Sequence, residues 1–181
     1  MTDSRPPDPP SAFVARWIRD LAPPAPGAHA ALDVAMGRGR HAALLARAGF
    51  RTFGVDVRYE VVRDAVASLA SRGCAVRGWC ADLIVTPLPR RRFDLIVVTR
   101  YLERRLFPSL IEALAPGGVV LYETFTEAQR AHGRGPTSPD HLLAPGELPS
   151  WFQGLETLFY EEVDEPEAVA RLAARTSSSR R

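Results

Sequence analysis

The segment Leu32-Asp33-Val34-Ala35-Met36-Gly37-Arg38-Gly39-Arg40 leaves an apolar stretch and runs into a helix-like one, and a second apolar stretch ends at Asp56 about twenty residues later. A chain that turns sharply from strand to helix can seat a flat polar molecule only where side chains leave room. Gly37 and Gly39 are expected to leave it. A carboxylate at the end of the following strand stands where it accepts both hydroxyl hydrogens of a ribose. Glycine turn and Asp56 together imply a nucleotide-cofactor site.

Around this turn the chain alternates short apolar runs with helical stretches: strand near 30 to 35, helix 39 to 48, strand 51 to 56, helix 59 to 72, strand 75 to 79. Such alternation predicts a parallel sheet with crossover helices. Gly49 and Gly73 fall just past two of the helices, where a left-handed cap is needed. A fourth strand, Phe93 to Val98, leads to a helix near 103 to 115. Pro116-Gly117-Gly118 then turns the chain into a fifth strand, Val119 to Phe125.

Residues 126 to 146 hold prolines, glycines, histidines and arginines without apolar periodicity, a long loop expected to act as a lid. Beyond it the pattern gives a short helix around Glu147 to Phe152, a strand from Leu155 to Val163, and a turn at Asp164-Glu165-Pro166. The last element, Ala168 to Arg175, is open between the helix its composition favours and the antiparallel strand that a preceding hairpin turn favours.

At the other end, Ser11 can cap a helix carrying Phe13, Trp17, Ile18 and Leu21 on one face, expected to pack across the cofactor edge or the sheet. The prolines Pro23, Pro24 and Pro26 stop it. Residues 1–10 and 176–181 are expected to form loose tails around one domain, 11–175.

A length of 181 residues suits one domain with a real core. All 23 basic residues are arginine and nearly balance 21 acidic ones, so the net charge of +2 gives no electrostatic case for nucleic acid or membrane partners. Cys74 and Cys80 lie too close to staple distant elements, and the N-terminus carries no apolar leader. A reducing, cytoplasmic location is expected. No run approaches the roughly eighteen apolar residues of a membrane span.

The chain resembles the class I S-adenosylmethionine-dependent methyltransferases over about residues 30 to 175, and within them the small tellurite-resistance-type enzymes. The family's first motif matches Asp33-x-Ala35-x-Gly37-x-Gly39, its acidic ribose residue matches Asp56, its adenine step matches Ala81-Asp82-Leu83, and its Pro-Gly-Gly matches Pro116 to Gly118. The subgroup likeness rests on Gly37 to His41 and on Gly146-Glu147-Leu148 with the aromatic helix and strand that follow. One departure stands out, because only Asp164 to Glu167 remain where tellurite-type members carry a longer polar hairpin. It bears on the tellurite substrate, not on methyl transfer.

The resemblance implies a Rossmann-like α/β fold, a seven-stranded and mostly parallel sheet whose last strand is antiparallel, so that Ala168 to Arg175 becomes strand. It implies S-adenosyl-L-methionine as cofactor, held by Asp33, Ala35, Gly37, Gly39, Asp56, Val57, Ala81, Asp82, Leu83 and Thr99. Asp33 either caps a turn or holds the cofactor's ammonium, and Asp82 either caps a turn or accepts from the adenine amino group. Met36 is given no role, and Cys80 is read as a small buried hydrophobe.

Arg100 follows the apolar run Leu95 to Val98 and so projects from the carboxyl end of a strand, where open α/β sheets bind ligands. Together with Tyr101 and the loop residue His132 it forms the expected substrate side, His132 as acceptor of a proton. Tyr101, Tyr122 or Phe125 can offer aromatic faces to a cationic donor. Thr99-Arg100-Tyr101-Leu102 stands where amino-group methyltransferases carry Asn/Asp-Pro-Pro-aromatic, which argues against methylating base nitrogens. An arginine suits an anionic acceptor.

His41, His132, Arg134 and His141 also read as solvated loop residues, and the runs Arg90 to Arg92 and Arg104-Arg105 as solvated faces. No catalytic triad or metal-ligand spacing occurs. The expected reaction is methyl transfer to a small soft or anionic acceptor. Two other classes fit parts of the pattern: a nicotinamide-dependent oxidoreductase, since Gly37-x-Gly39-x-x-Ala42 also matches a dinucleotide turn, and a non-catalytic module that binds S-adenosylmethionine.

Overall fold

The computed structural model describes residues 9–178. Among them seven strands form one sheet: β1 (Ala30–Val34), β2 (Arg51–Asp56), β3 (Val76–Cys80), β4 (Phe93–Thr99), β5 (Leu114–Phe125), β6 (Glu156–Val163) and β7 (Val169–Arg175). Their order is β3-β2-β1-β4-β5-β7-β6. Pairing is parallel from β3 through β5, and β7 runs antiparallel to both of its neighbours. The reversal of β7 follows from the tight turn after β6. Its small residues Ala170, Ala173 and Ala174 are fully buried between two ladders, so hydrogen bonding and burial on both sides override the helical preference of alanine.

Helices cover both faces. On one, α1 (Ala12–Asp20) and α2 (Arg40–Arg47) pack Phe13, Val14, Ile18 and Leu45 against Ala31, Leu95, Val97 and Leu121. The N-terminal helix thus lies on the sheet, its first turn capped by the Ser11 hydroxyl accepting from the Val14 N–H at 3.3 Å. On the other face, α4 (Phe107–Ala113) and α5 (Glu147–Ser150) build an aromatic cluster under β5, with Phe107 stacked on Trp151 at 4.9 Å and edge-on to Phe152 at 5.3 Å. Helix α3 (Tyr59–Ser71) buries Ala65 and Leu69 beside Met36, which belongs to the core rather than to the surface.

Three boundaries differ from the sequence reading. The helix expected near 103 to 115 divides into a 3-10 turn, Arg104–Leu106, and α4, which starts where Pro108 needs no helical partner for a backbone N–H. Strand β5 begins at Leu114, and its register with β4 shifts between Phe93 and Leu95. Gly118 allows that irregularity, since a Cβ there would stand 2.8 Å from the Ala115 carbonyl oxygen.

The 126 to 146 segment is the third. It carries two 3-10 turns, Glu127–His132 and Pro139–His141, and is tied down rather than hung over the crevice. Buried Gln129 donates to the Arg134 carbonyl at 3.0 Å and accepts from the Ala168 N–H at 2.7 Å. Arg104, read from sequence as part of a solvated run, grips both Glu147 oxygens at 2.6 and 2.8 Å and the Leu142 carbonyl at 3.0 Å.

Of the loose tails expected at 1–10 and 176–181, residues 1–8 and 179–181 lie outside the described residues. Thr176 is held, its N–H donating to the Gly118 carbonyl and its hydroxyl to that of Ala115. No helix among the described residues is long and apolar enough to cross a membrane.

Candidate functional site

The carboxyl ends of β1, β2, β3 and β4 open onto a crevice of about 330 Å³. Val34, Ala35 and Gly37 line it from the turn after β1, Val55 to Arg58 from the end of β2, Ala81 to Leu83 from the segment after β3, and Thr99 to Tyr101 from the end of β4. The four segments are far apart in sequence, and the parallel register of β2, β1 and β4 brings three of the strand ends together.

Asp56 is buried at 8% exposure, and its two oxygens accept from the Gly37 and Arg58 backbone N–H groups, each at 3.1 Å. A carboxylate has about four acceptor positions, so capacity remains for donors in the crevice. Gly37 has φ +51°, and a Cβ built on it meets nothing within 4 Å. The room expected there is present. Gly39 does a different job: it lines no part of the crevice, and its Cβ would stand 2.7 Å from Leu69 Cδ1 and 3.2 Å from Met36 Cε. It lets α2 and α3 approach.

Asp33 also stands apart from the crevice lining. Its carboxylate is 1% exposed and accepts the Ala42 N–H at 2.9 Å, tying α2 to β1, and burial pushes its pKa up to about 7. Asp82 caps a turn by accepting from the Ile84 N–H at 2.9 Å and lines the crevice as well. Cys80 is exposed, not buried, because β3 is an edge strand; its thiol donates to the Val57 carbonyl at 3.3 Å.

Ala35 and Arg100, each one residue past a strand end, both have φ 53°, a left-handed conformation costly for residues with a Cβ. Both face the crevice. The Arg100 guanidinium pairs with Glu167 at 2.8 Å and lies 5.9 Å from the centre of the Phe125 ring. Tyr101 lines the crevice, and burial raises its phenol above the ordinary range, which keeps it a neutral donor. Tyr122 is instead part of the core beneath, donating to the Tyr101 carbonyl at 2.9 Å. His132 closes the first 3-10 turn of the tied-down segment and is not among the crevice residues, so the structure does not join it to Arg100 and Tyr101.

Sequence reasoning missed His41. Far from solvated, it is 2% exposed, accepting the Ser11 N–H on Nε2 at 3.1 Å and meeting the Thr99 hydroxyl through Nδ1 at 3.2 Å. Thr99 in turn begins a polar rung across the sheet, register-paired with Glu123, which pairs with Arg171, which pairs with Glu161. Arg171 donates to Glu123 at 2.7 Å and to Glu161 at 2.9 Å. A strand-end rule like the one that singled out Arg100 would have found Glu123. Arg171 required the register of β7.

Residues 31–118 match the model of a family described as a methyltransferase domain. Over that stretch, 88 of its 181 residues, the chain is similar to methyltransferase domains. Solved structures agree in fold. A protein from work on conversion of a disulfide bond into a thioacetal group during echinomycin biosynthesis superposes with a TM-score of 0.76 at 21% identity, covering 97% of this chain and 87% of that one. An S-adenosylmethionine-dependent methyltransferase from Mesorhizobium loti gives 0.70 at 21%, covering 91% and 98%. TehB from Haemophilus influenzae gives 0.75 at 17%, covering 93% of this chain and 63% of TehB. No curated protein matches the chain in sequence.

The crevice fits S-adenosylmethionine, the cofactor that the resemblance implies. A Cβ-free turn at Gly37 leaves space beside a buried carboxylate, Val55 and Leu83 offer apolar surface for a flat base, and the volume lies within the range of small-molecule sites.

Proposed function

We propose that the protein is an S-adenosylmethionine-dependent methyltransferase that acts on a small soft or anionic acceptor, a thiol, a chalcogen oxyanion or a small carboxylate, brought to the crevice beside Arg100. The observation that carries this reading is the guanidinium of Arg100 at the crevice wall, since a guanidinium forks onto oxyanions and carboxylates. Asp56 accepts from the ribose hydroxyls, Asp82 from the adenine amino group, and Val57 and Leu83 flank the base. Ala35 and Gly37 admit the amino-acid portion, and the Thr99 hydroxyl and Tyr101 phenol orient the groups between donor and acceptor. S-adenosylmethionine, when bound, supplies a methyl group already activated on a sulfonium.

The protein's part is then alignment and exclusion of water, with reacting atoms held at about 3 to 3.5 Å. An acceptor that arrives as an anion needs no base. The free thiols of Cys74 and Cys80 support action in a reducing compartment such as the cytoplasm.

The test is conversion of S-adenosylmethionine to S-adenosylhomocysteine in the presence of a panel of thiols, selenite, tellurite and small carboxylates, beside calorimetric binding of S-adenosylmethionine to the Asp56→Ala variant. Turnover with at least one of these classes and a tenfold or greater loss of affinity in the variant are expected, from loss of charge-assisted hydrogen bonds worth about 1.5–3 kcal/mol. Turnover confined to nucleic acid or protein acceptors overturns the acceptor class.

A further inference from the structure

A second cavity of about 170 Å³ adjoins the crevice at Arg100, which lines both. It is framed by Arg40, Arg100 and Arg171 with Glu123 and Glu167, and the N-terminal residues Pro9 to Ala12 close one side. Its volume equals roughly six water volumes, enough for a molecule of a few heavy atoms.

The two carboxylates are not equivalent. Glu123 is 8% exposed and locked to Arg171 within the rung, whose guanidinium is also held from behind by Glu161. Arg171 is thereby fixed in orientation, and its Nη2 has no hydrogen bond among the described residues. Glu167, in contrast, sits on the turn between β6 and β7 and meets Arg100 through one contact of 2.8 Å, with side chains 39% and 33% exposed. Ion pairs so open to water contribute little. An incoming oxyanion that reaches two guanidinium groups at once makes more charge-assisted hydrogen bonds than Glu167 makes.

We propose that this cavity seats the carboxylate of the acceptor, and that Glu167 occupies the Arg100 guanidinium until that carboxylate displaces it. The inference rests on the methyl-transfer reading and narrows its acceptor to a small molecule with a carboxylate a few bonds from the methylated atom. Arg171 and Arg100 bind the carboxylate, and the rest of the acceptor reaches past Arg100 toward the crevice.

Calorimetry with mercaptoacetate as probe, on protein saturated with S-adenosylhomocysteine, tests this against the neutral mercaptoacetamide. Mercaptoacetate is expected to bind at least tenfold more tightly than the amide. Glu167→Gln should tighten mercaptoacetate binding about threefold or more, and Arg171→Met should weaken it at least tenfold, each with S-adenosylhomocysteine affinity unchanged. Absence of mercaptoacetate binding, equal affinity for the amide, or a Glu167→Gln variant that binds no tighter overturns the proposal. Glu167 is on an exposed turn, so its variant reads the cavity even where Arg171→Met does not fold. Failure of S-adenosylhomocysteine to bind refutes the donor assignment alone, and the same titration on the free protein then still decides the cavity.

Discussion

His41 and Thr99, 58 residues apart in the chain, meet through Nδ1 and Oγ1 at 3.2 Å, and the bond has a fixed direction. Because the Ser11 N–H donates to Nε2, that nitrogen carries the lone pair and Nδ1 carries the proton, which goes to Thr99. The Thr99 hydroxyl hydrogen is thus released toward other acceptors at the crevice wall. Replacing His41 with Leu leaves the Ser11 N–H and the Thr99 oxygen without these partners. A loss of about 1–3 kcal/mol of stability in urea unfolding is expected.

Stability against pH separates two buried groups. Burial, with Arg40 and Arg100 nearby, lowers the His41 pKa from 6.5 to about 3, so its contribution is present above about pH 6.5 and lost as pH falls toward 3. Burial raises Asp33 from 3.8 to about 7, so its contribution is full below about pH 3.8 and lost as pH rises through 7. Between about pH 4 and 6.5 the two slopes oppose each other. Asp33→Asn keeps an oxygen for the Ala42 N–H and removes one slope. The variant should gain stability with rising pH across that window, and exceed the wild type above pH 7. A variant whose urea midpoint follows the wild type at every pH would contradict the assignment.

The two glycines of the turn should fail in different ways when changed to alanine. Both have positive φ, at +51° for Gly37 and +75° for Gly39, so each variant loses about 1 kcal/mol to backbone strain. Gly39→Ala adds overpacking against Leu69 of about 1–3 kcal/mol and should mainly lower Tm. Gly37→Ala places a methyl in the crevice and should mainly weaken S-adenosylmethionine binding in calorimetry.

Arg104 sets the position of the 126 to 146 segment through Glu147, whose carboxyl the Arg104 hydrogen bonds hold at a pKa of about 2. Arg104→Met should release that segment, so that trypsin cuts after Arg130 or Arg134 much faster than in the wild type while Tm falls by a few degrees. Lowering pH through about 2 removes the same contact, since the depressed carboxyl stabilises only while ionised.

How far the fold was legible depended on the range of the interactions involved. Gly37, Asp56 and the strand ends of β1, β2 and β4 are local patterns, and the structure brings them together at one crevice, with Gly39 outside it. Strand β7 is helical by composition and became strand only through the ladders on both sides of it. His41 and Arg104 were misplaced, and Asp33 was left between two readings, for one reason. Each is engaged by a group 9 to 58 residues away that no spacing rule announces. Arg171 and Glu167 were unread for the same reason, as the Arg100 to Glu167 contact spans 67 residues.

The insertion of β7 between β5 and β6 orders events during synthesis. Every strand that borders the donor crevice has left the ribosome before the hairpin carrying Glu167 and Arg171 is made, and domains acquire structure from the N-terminal side as they emerge. With the donor and acceptor sites as proposed, a nascent chain completes the half that grips the methyl donor while its acceptor half is still missing, and selectivity for the acceptor is the last property the protein gains.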